Sequence, residues 1–501
     1  MLLTNNGALS ITSNAVDPND VVYQGGIAVK ASTGQVYVEG GGNSYLGQIA
    51  SHCRFANTFA GAYFQNMSRV KHISYENISI VQLVYSNIQL VTTSELNPTA
   101  ATSVTASIEY PVGTITQATF SGSTTGNIPI GGVLVSDPIT LATPLVRGVP
   151  FYTRTWQNAP GGMLYNATYG TNYKAATANQ SGEFMVYGVT TTDLTNSTSI
   201  PNNGNTKFGL YGPQAIIGET TRRTILMVGD SRVQGSRYGG TGEYLPNQYG
   251  ATGYVERALS RNYAVLNLGL GWESSANASG SGYVARASFI NYCNTVVSNY
   301  GINDITNNTA TPAQIITNLV NLAGNLGNKP FYQCTLDPVS TSTDRFTTTV
   351  NQTTNTYNSN RVTLNNLIRT GLSAPITGYI EVADSLESSR DSGLWKATTR
   401  TAADLSITAG TTTLTSAADF NFTSNDIGNT VLIDGAGGAG GLLKTYITNV
   451  TDSTTATLAG TAGTTVAAAS GSMPYTSDGT HASRLGTMQF ETLTVFDVLK
   501  D

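Results

Sequence analysis

The chain is poor in charge. Asp, Glu, Lys and Arg make up 11% of its 501 residues, against roughly 25% in an average soluble protein. Thr, Ser, Asn and Gly carry the polarity instead, a composition suited to β-rich extracellular or virion proteins. The 25 basic and 30 acidic residues leave a net charge of −5, with no basic block. That excludes nucleic-acid binding through phosphate neutralisation. Cysteine is scarce, at 53, 293 and 334 only. An odd number without metal-like spacing excludes a disulfide framework and predicts buried free thiols. No run of about 18 apolar residues occurs, so no membrane span is expected. The start, Met1-Leu2-Leu3-Thr4-Asn5-Asn6, lacks the charged and apolar regions of a signal peptide. An extracellular or virion-associated protein of this kind would leave its cell by another route, such as phage lysis. Histidine is equally scarce, three in all. No Cys/His/Asp spacing holds a cation, so no metal and no cofactor are expected.

What is present divides into regions. Residues 1–45 predict a lead β segment, with a small hairpin from Tyr23–Val29 and Gly34–Val38. Residues 46–220 hold short alternating runs such as Ile80-Val81-Gln82-Leu83-Val84-Tyr85, broken by Gly, Pro, Asn and Ser. Many short strands of this type predict an all-β sandwich or jelly roll. From 221 to 397 strands alternate with helices. Strands are expected at 224–228, 264–268, 293–299, 330–336 and 378–382, and helices near 253–260, 284–292, 311–326 and 354–370. Thr311 and Pro312 supply an N-cap and an N1 proline for the third helix. This alternation predicts a parallel sheet covered by helices on both faces. Residues 398–474 are rich in Thr, Ala and Gly and predict a small inserted β module. The α/β region resumes at 475–501, ending in a helix with Leu485, Met488, Leu493, Phe496 and Leu499 on one face.

Three short blocks carry chemistry. The apolar strand Thr224–Val228 runs into Gly229-Asp230-Ser231-Arg232-Val233-Gln234-Gly235. A serine at a strand-to-helix turn presents its hydroxyl at the carboxyl end of a sheet, where open α/β folds bind ligands. It needs an adjacent base to become a nucleophile. His481, the sole histidine of the last four hundred residues, lies in Ser477-Asp478-Gly479-Thr480-His481. The Asp-x-x-His spacing lets Asp478 hold one ring nitrogen while the other faces Ser231. The blander alternative is a helix cap with a surface histidine. Between them stands Gly301-Ile302-Asn303-Asp304. Asn303 can offer an amide N–H to an oxyanion, and a plain turn is the alternative. Asp230 and Asp304 are assigned to structural hydrogen bonds, as are His52 and His72. Trp156 is assigned to the sandwich core.

In order and context these blocks resemble the SGNH, or GDSL, hydrolases. The resemblance covers 222–397 and 475–501, with Arg232 where leucine is usual. It implies a three-layer, flavodoxin-like α/β domain. It implies a catalytic Ser231, Asp478 and His481, and an oxyanion hole from Ser231, Asn303 and a loop N–H. The family's Asn-x-Gly-x-x-Gly stretch here reads Asn267-Leu268-Gly269-Leu270-Gly271-Trp272. The loop donor is therefore Trp272 in one register or Gly271 in another. Trp272 and Trp395 are candidate sugar-stacking platforms, with packing aromatics as the alternative. The activity implied is a serine esterase, foremost an O-acetylesterase acting on an acetylated glycan of a bacterial surface or another polysaccharide. A lipase or thioesterase of the same family, and a non-catalytic carbohydrate-binding or structural virion protein, are the alternatives. The inserted module resembles those of phage tail fibres and tailspikes, which implies a tail-associated homotrimer.

Overall fold

The computed structural model describes residues 44–499 except 92, 167–181, 201–208, 236–246, 252 and 281–284, together with the backbone of short strands before residue 44. Among those early strands, Val21–Gln24, Ile27–Lys30 and Gln35–Val38 pair as an antiparallel meander. Two antiparallel sheets follow. One is built on Thr102–Glu109, Pro150–Asn158 and Gln65–Ile73, and the other on Ile78–Ser86, Ala215–Thr220 and Tyr45–Gln48. Their inward residues bury one shared core, with Val104, Ala106 and Ile108 from the first sheet and Val81, Leu83 and Tyr85 from the second. Trp156, expected in this core, is only half-buried. Its indole N–H points instead at the Thr191 carbonyl.

A five-stranded sheet then forms from Ala264–Asn267, Thr224–Val228, Thr295–Ser298, Phe331–Cys334 and Ile376–Ile380, in that spatial order. All its pairings are parallel. Numbered along the chain the order is 2-1-3-4-5, the flavodoxin-like doubly wound arrangement. Thr224–Val228 is buried along its whole length, which is why it reads as an unbroken apolar run. Helices Pro312–Asn325 and Asn358–Thr370 are the long ones. The first carries the expected Thr311 cap, completed as a capping box by Gln314. The segment expected as a helix near 284–292 is a 3₁₀ helix, Arg286–Tyr292.

The stretch inserted before the last α/β segment closes into a six-stranded barrel. The sequence shows only its hairpins. Closure follows from pairing Val466–Ser472 with both Thr401–Ile407 and Thr430–Ile433, and it removes exposed sheet edges. Leu405, Leu414, Phe420, Val431 and Ile447 fill the interior. The closing helix departs from expectation. Only Arg484–Met488 is α-helical, followed by two 3₁₀ turns separated at Leu493, whose backbone is extended. The apolar residues therefore do not share one face. Leu485 packs against the barrel core, whereas Phe496 and Leu499 belong to the core of the parallel sheet.

The regions are joined by polar contacts. Arg54 of the two-sheet region pairs with Glu256 and donates to the Gln234 carbonyl at 3.2 Å. Arg484 donates to Asn429 Oδ1 of the barrel at 2.8 Å. All three cysteines are free and buried. Among the described residues no helix is long and apolar enough to cross a membrane.

Candidate active site

Ser231 is the first residue of a one-turn helix, Ser231–Gln234, that follows strand Thr224–Val228. Asp230 is its N-cap, accepting from the Arg232 N–H at 2.9 Å, and Gly235 ends it at φ +73°. Gly229 sits at φ +159°, and a Cβ there would lie 1.9 Å from Asn299 Oδ1. No other residue fits so close an approach. The turn thus places Ser231 at the switch point of the sheet, between the first and third strands in chain order.

His481 reaches the same point from a loop 250 residues later. Its Nε2 lies 2.8 Å from Ser231 Oγ, and its Nδ1 lies 2.9 Å from Asp478 Oδ2. Ser231 is 8% exposed and His481 7%. The other Asp478 oxygen accepts the backbone N–H groups of Thr480 and His481, both at 2.8 Å. Burial alone would raise the Asp478 carboxyl. The hydrogen bond and charge of His481, with those two N–H groups, bring it down to about 2. A carboxylate so held fixes the proton of the resting imidazole on Nδ1 and leaves Nε2 to accept from the serine hydroxyl.

Asn303 lies in the turn of helix after strand Thr295–Ser298. Its Nδ2 donates to the Glu273 carbonyl at 3.1 Å, and its Oδ1 accepts from Asn307 at 3.1 Å. One amide hydrogen is thereby fixed, which orients the other. In the loop after strand Ala264–Asn267, Gly271 N–H donates to Gln234 Oε1 at 3.0 Å. Trp272 next to it takes φ +68° and is 50% exposed. That left-handed conformation is the one glycine adopts most readily.

Ser231, Asp478 and His481 are brought together, and Asn303 and Trp272 follow the two strands that flank the strand leading to Ser231. Trp395 does not join them as a sugar platform. It is 0% exposed, so no ring can stack on it. Its indole N–H donates to the Gly479 carbonyl at 2.9 Å, inside the loop that carries Asp478 and His481. Arg232 holds the same loop, donating to the Thr480 carbonyl at 2.9 Å while its other amino group meets Asp337 at 2.6 Å. The sequence signalled Arg232 only as a departure from leucine, and it carried no signal for this use of Trp395. Asp230 and Asp304 serve as structural acceptors, the latter for the Ser275 N–H and hydroxyl at 2.9 and 2.6 Å. His72 is buried between the Ser51 carbonyl and Thr153. Among the described residues no group of three His, Cys, Asp or Glu side chains is disposed to hold a metal ion.

Comparison with known protein families finds no match, and neither does comparison with curated protein sequences. Solved structures with partial similarity include SGNH/GDSL hydrolases, esterases and lipases. The SGNH-hydrolase family esterase AlinE4 is 24% identical over 23% of this chain and 59% of its own, with a TM-score of 0.18. A GDSL-like lipase from Bacteroides thetaiotaomicron is 12% identical over 34% and 73%, with a TM-score of 0.23. A carbohydrate acetylesterase from Sinorhizobium meliloti is 15% identical over 25% and 68%, with a TM-score of 0.18. The chain thus spans about three fifths of AlinE4.

Proposed function

We propose that this protein is a serine esterase that removes O-acetyl groups from a carbohydrate. The observation that carries the reading is the unbroken chain from Ser231 Oγ to His481 Nε2 at 2.8 Å and from His481 Nδ1 to Asp478 at 2.9 Å. In the first half-reaction Ser231 Oγ attacks the ester carbonyl carbon as its proton passes to His481 Nε2. Asp478 stabilises the imidazolium. The carbonyl oxygen becomes an oxyanion facing the backbone N–H groups of Ser231 and Trp272 and the amide of Asn303. Each such donor typically contributes about 3–4 kcal/mol to the transition state. Trp272, which takes the left-handed φ of +68° that glycine adopts most readily, is the preferred loop donor. Collapse breaks the bond between the carbonyl carbon and the sugar oxygen, which takes the proton from His481 Nε2 and leaves as a hydroxyl, with Ser231 acylated. Water then repeats the sequence on acyl-Ser231 and releases acetate.

Two observations favour a short acyl group on a sugar. The exposed large apolar side chains described between 221 and 397 are Trp272, Val350, Leu367 and Tyr379, which lie on separate elements. Trp272 presents a half-exposed indole beside the oxyanion loop, a surface on which a pyranose ring can stack. The test compares wild type with Ser231→Ala on p-nitrophenyl esters of increasing chain length, then on acetylated polysaccharides. The expected result is turnover of acetate well above octanoate, acetate release from the polysaccharide, and loss of both in Ser231→Ala. Preference for octanoate would replace this reading with a lipase. Glycan binding without turnover of any ester would replace it with a binding protein.

A further inference from the structure

The oxyanion loop is anchored from outside the α/β region. Arg286, whose side chain is fully buried, reaches both ends of it. One guanidinium nitrogen donates to the Leu268 carbonyl at 3.0 Å, and the same fork binds the Glu273 carboxylate at 3.1 and 2.6 Å. Tyr300 adds its hydroxyl to Glu273. The Glu273 carbonyl in turn receives Asn303 Nδ2. Trp272 lies between these fixed points.

Arg286 is itself oriented by Glu95, which belongs to a hairpin of the two-sheet region, Gln89–Val91 with Ser94–Leu96. One Glu95 oxygen accepts Arg286 Nε at 2.8 Å and the Arg286 backbone N–H at 3.1 Å. The other accepts the Ala285 N–H at 2.7 Å. A carboxylate with both oxygens engaged sets the plane of the guanidinium, and a planar fork transmits that orientation to everything it binds. The two-sheet region touches the start of the loop as well, where the Arg54 backbone bridges to Asn267.

We propose that Glu95 is a positioning residue of the esterase site, acting through Arg286 to set the loop 268–273 against Ser231 and Asn303. On this view the β region that precedes the hydrolase is part of the catalytic apparatus, although it supplies no reacting group. The proposal rests on the esterase reading, and its test has one arm that does not.

The test uses Glu95→Gln, which keeps the shape and removes the charge, and Glu95→Asp, which keeps the charge. Small displacements of a catalytic group cost substantial rate. On p-nitrophenyl acetate, kcat should fall about tenfold in Glu95→Gln with KM within about twofold of wild type, and Glu95→Asp should retain more of kcat. In the second arm, amide hydrogen exchange in Glu95→Gln should accelerate over 268–273 and remain at the wild-type rate over 476–482. Wild-type kcat in Glu95→Gln, or exchange that accelerates evenly across the hydrolase region, would overturn the proposal. If the wild type hydrolyses no ester, the functional reading falls separately, and the exchange pattern alone decides whether Glu95 governs the loop.

Discussion

Asp478 accepts from the imidazole of His481 and from two backbone N–H groups, and this sets how the site answers to acid. Its carboxyl is held at about 2, below the ordinary 3.8. A lowered folded-state value means the ionised form is favoured by folding. The corresponding stabilisation is complete above pH ~4 and is lost as pH falls toward 2. For a largely buried group it amounts to about 2 kcal/mol. The stability gap between wild type and Asp478→Asn, followed by urea denaturation, should therefore be steady from pH 7 to 5 and close between pH 4 and 2. A gap that closes near pH 6 instead would show that another group controls it. Trp272 poses a different question at the same scale. A bulky residue at φ +68° is strained, typically by about 1–3 kcal/mol, so the contacts at both ends of its loop must outweigh that cost.

At the scale of the element, the one-turn helix Ser231–Gln234 is too short to be stable by itself. It is held by Asp230 at its start, Gly235 at its end and the side chain of Arg232. That guanidinium is buried with Asp337, which also accepts from Tyr254 at 2.6 Å. Removing one partner of a buried pair strands the other charge. Arg232→Leu should destabilise the protein by about 3–5 kcal/mol, and Arg232→Leu with Asp337→Leu should recover much of the loss. Thermal melts of the two single variants and the double variant measure this directly, and additive losses would sink the argument. The same elements show what could be read in advance. Ser231 after an apolar strand and Asp478 three residues before His481 are local spacings, and chemistry demands them locally. Strand Thr224–Val228 was legible because burial on both faces leaves a nearly unbroken apolar run, whereas Ile376–Ile380 at the sheet edge is only partly buried. Trp395 was not legible, because a tryptophan that stacks on a sugar and one that braces Gly479 look alike in a sequence. Nor were Glu95, Arg286 and Glu273, whose partners lie up to 191 residues away. The broken final helix was hidden by its changing partners, the barrel for Leu485 and the sheet for Phe496.

For the whole molecule, the two-sheet region and the α/β region share buried polar contacts instead of a flexible joint. Arg54 pairs with Glu256 where both side chains are nearly inaccessible, and Tyr75 donates to the Ser260 carbonyl. Regions coupled in this way unfold together. Calorimetry of the wild type should show one transition spanning both, and Arg54→Met should divide it in two as Glu256 loses its counter-charge. Two transitions in the wild type would show instead that the regions are independent.

The distance between Ser231 and its base has a consequence for the protein as it is made. The two are separated by 250 residues, including the other four parallel strands and the whole barrel. At the usual ~5–20 residues per second of synthesis, the ribosome needs about 12–50 seconds to travel from the serine codon to the histidine codon. During that interval the serine has no base. On the proposed esterase reading, the nascent chain stays dormant until its late segment has emerged and docked.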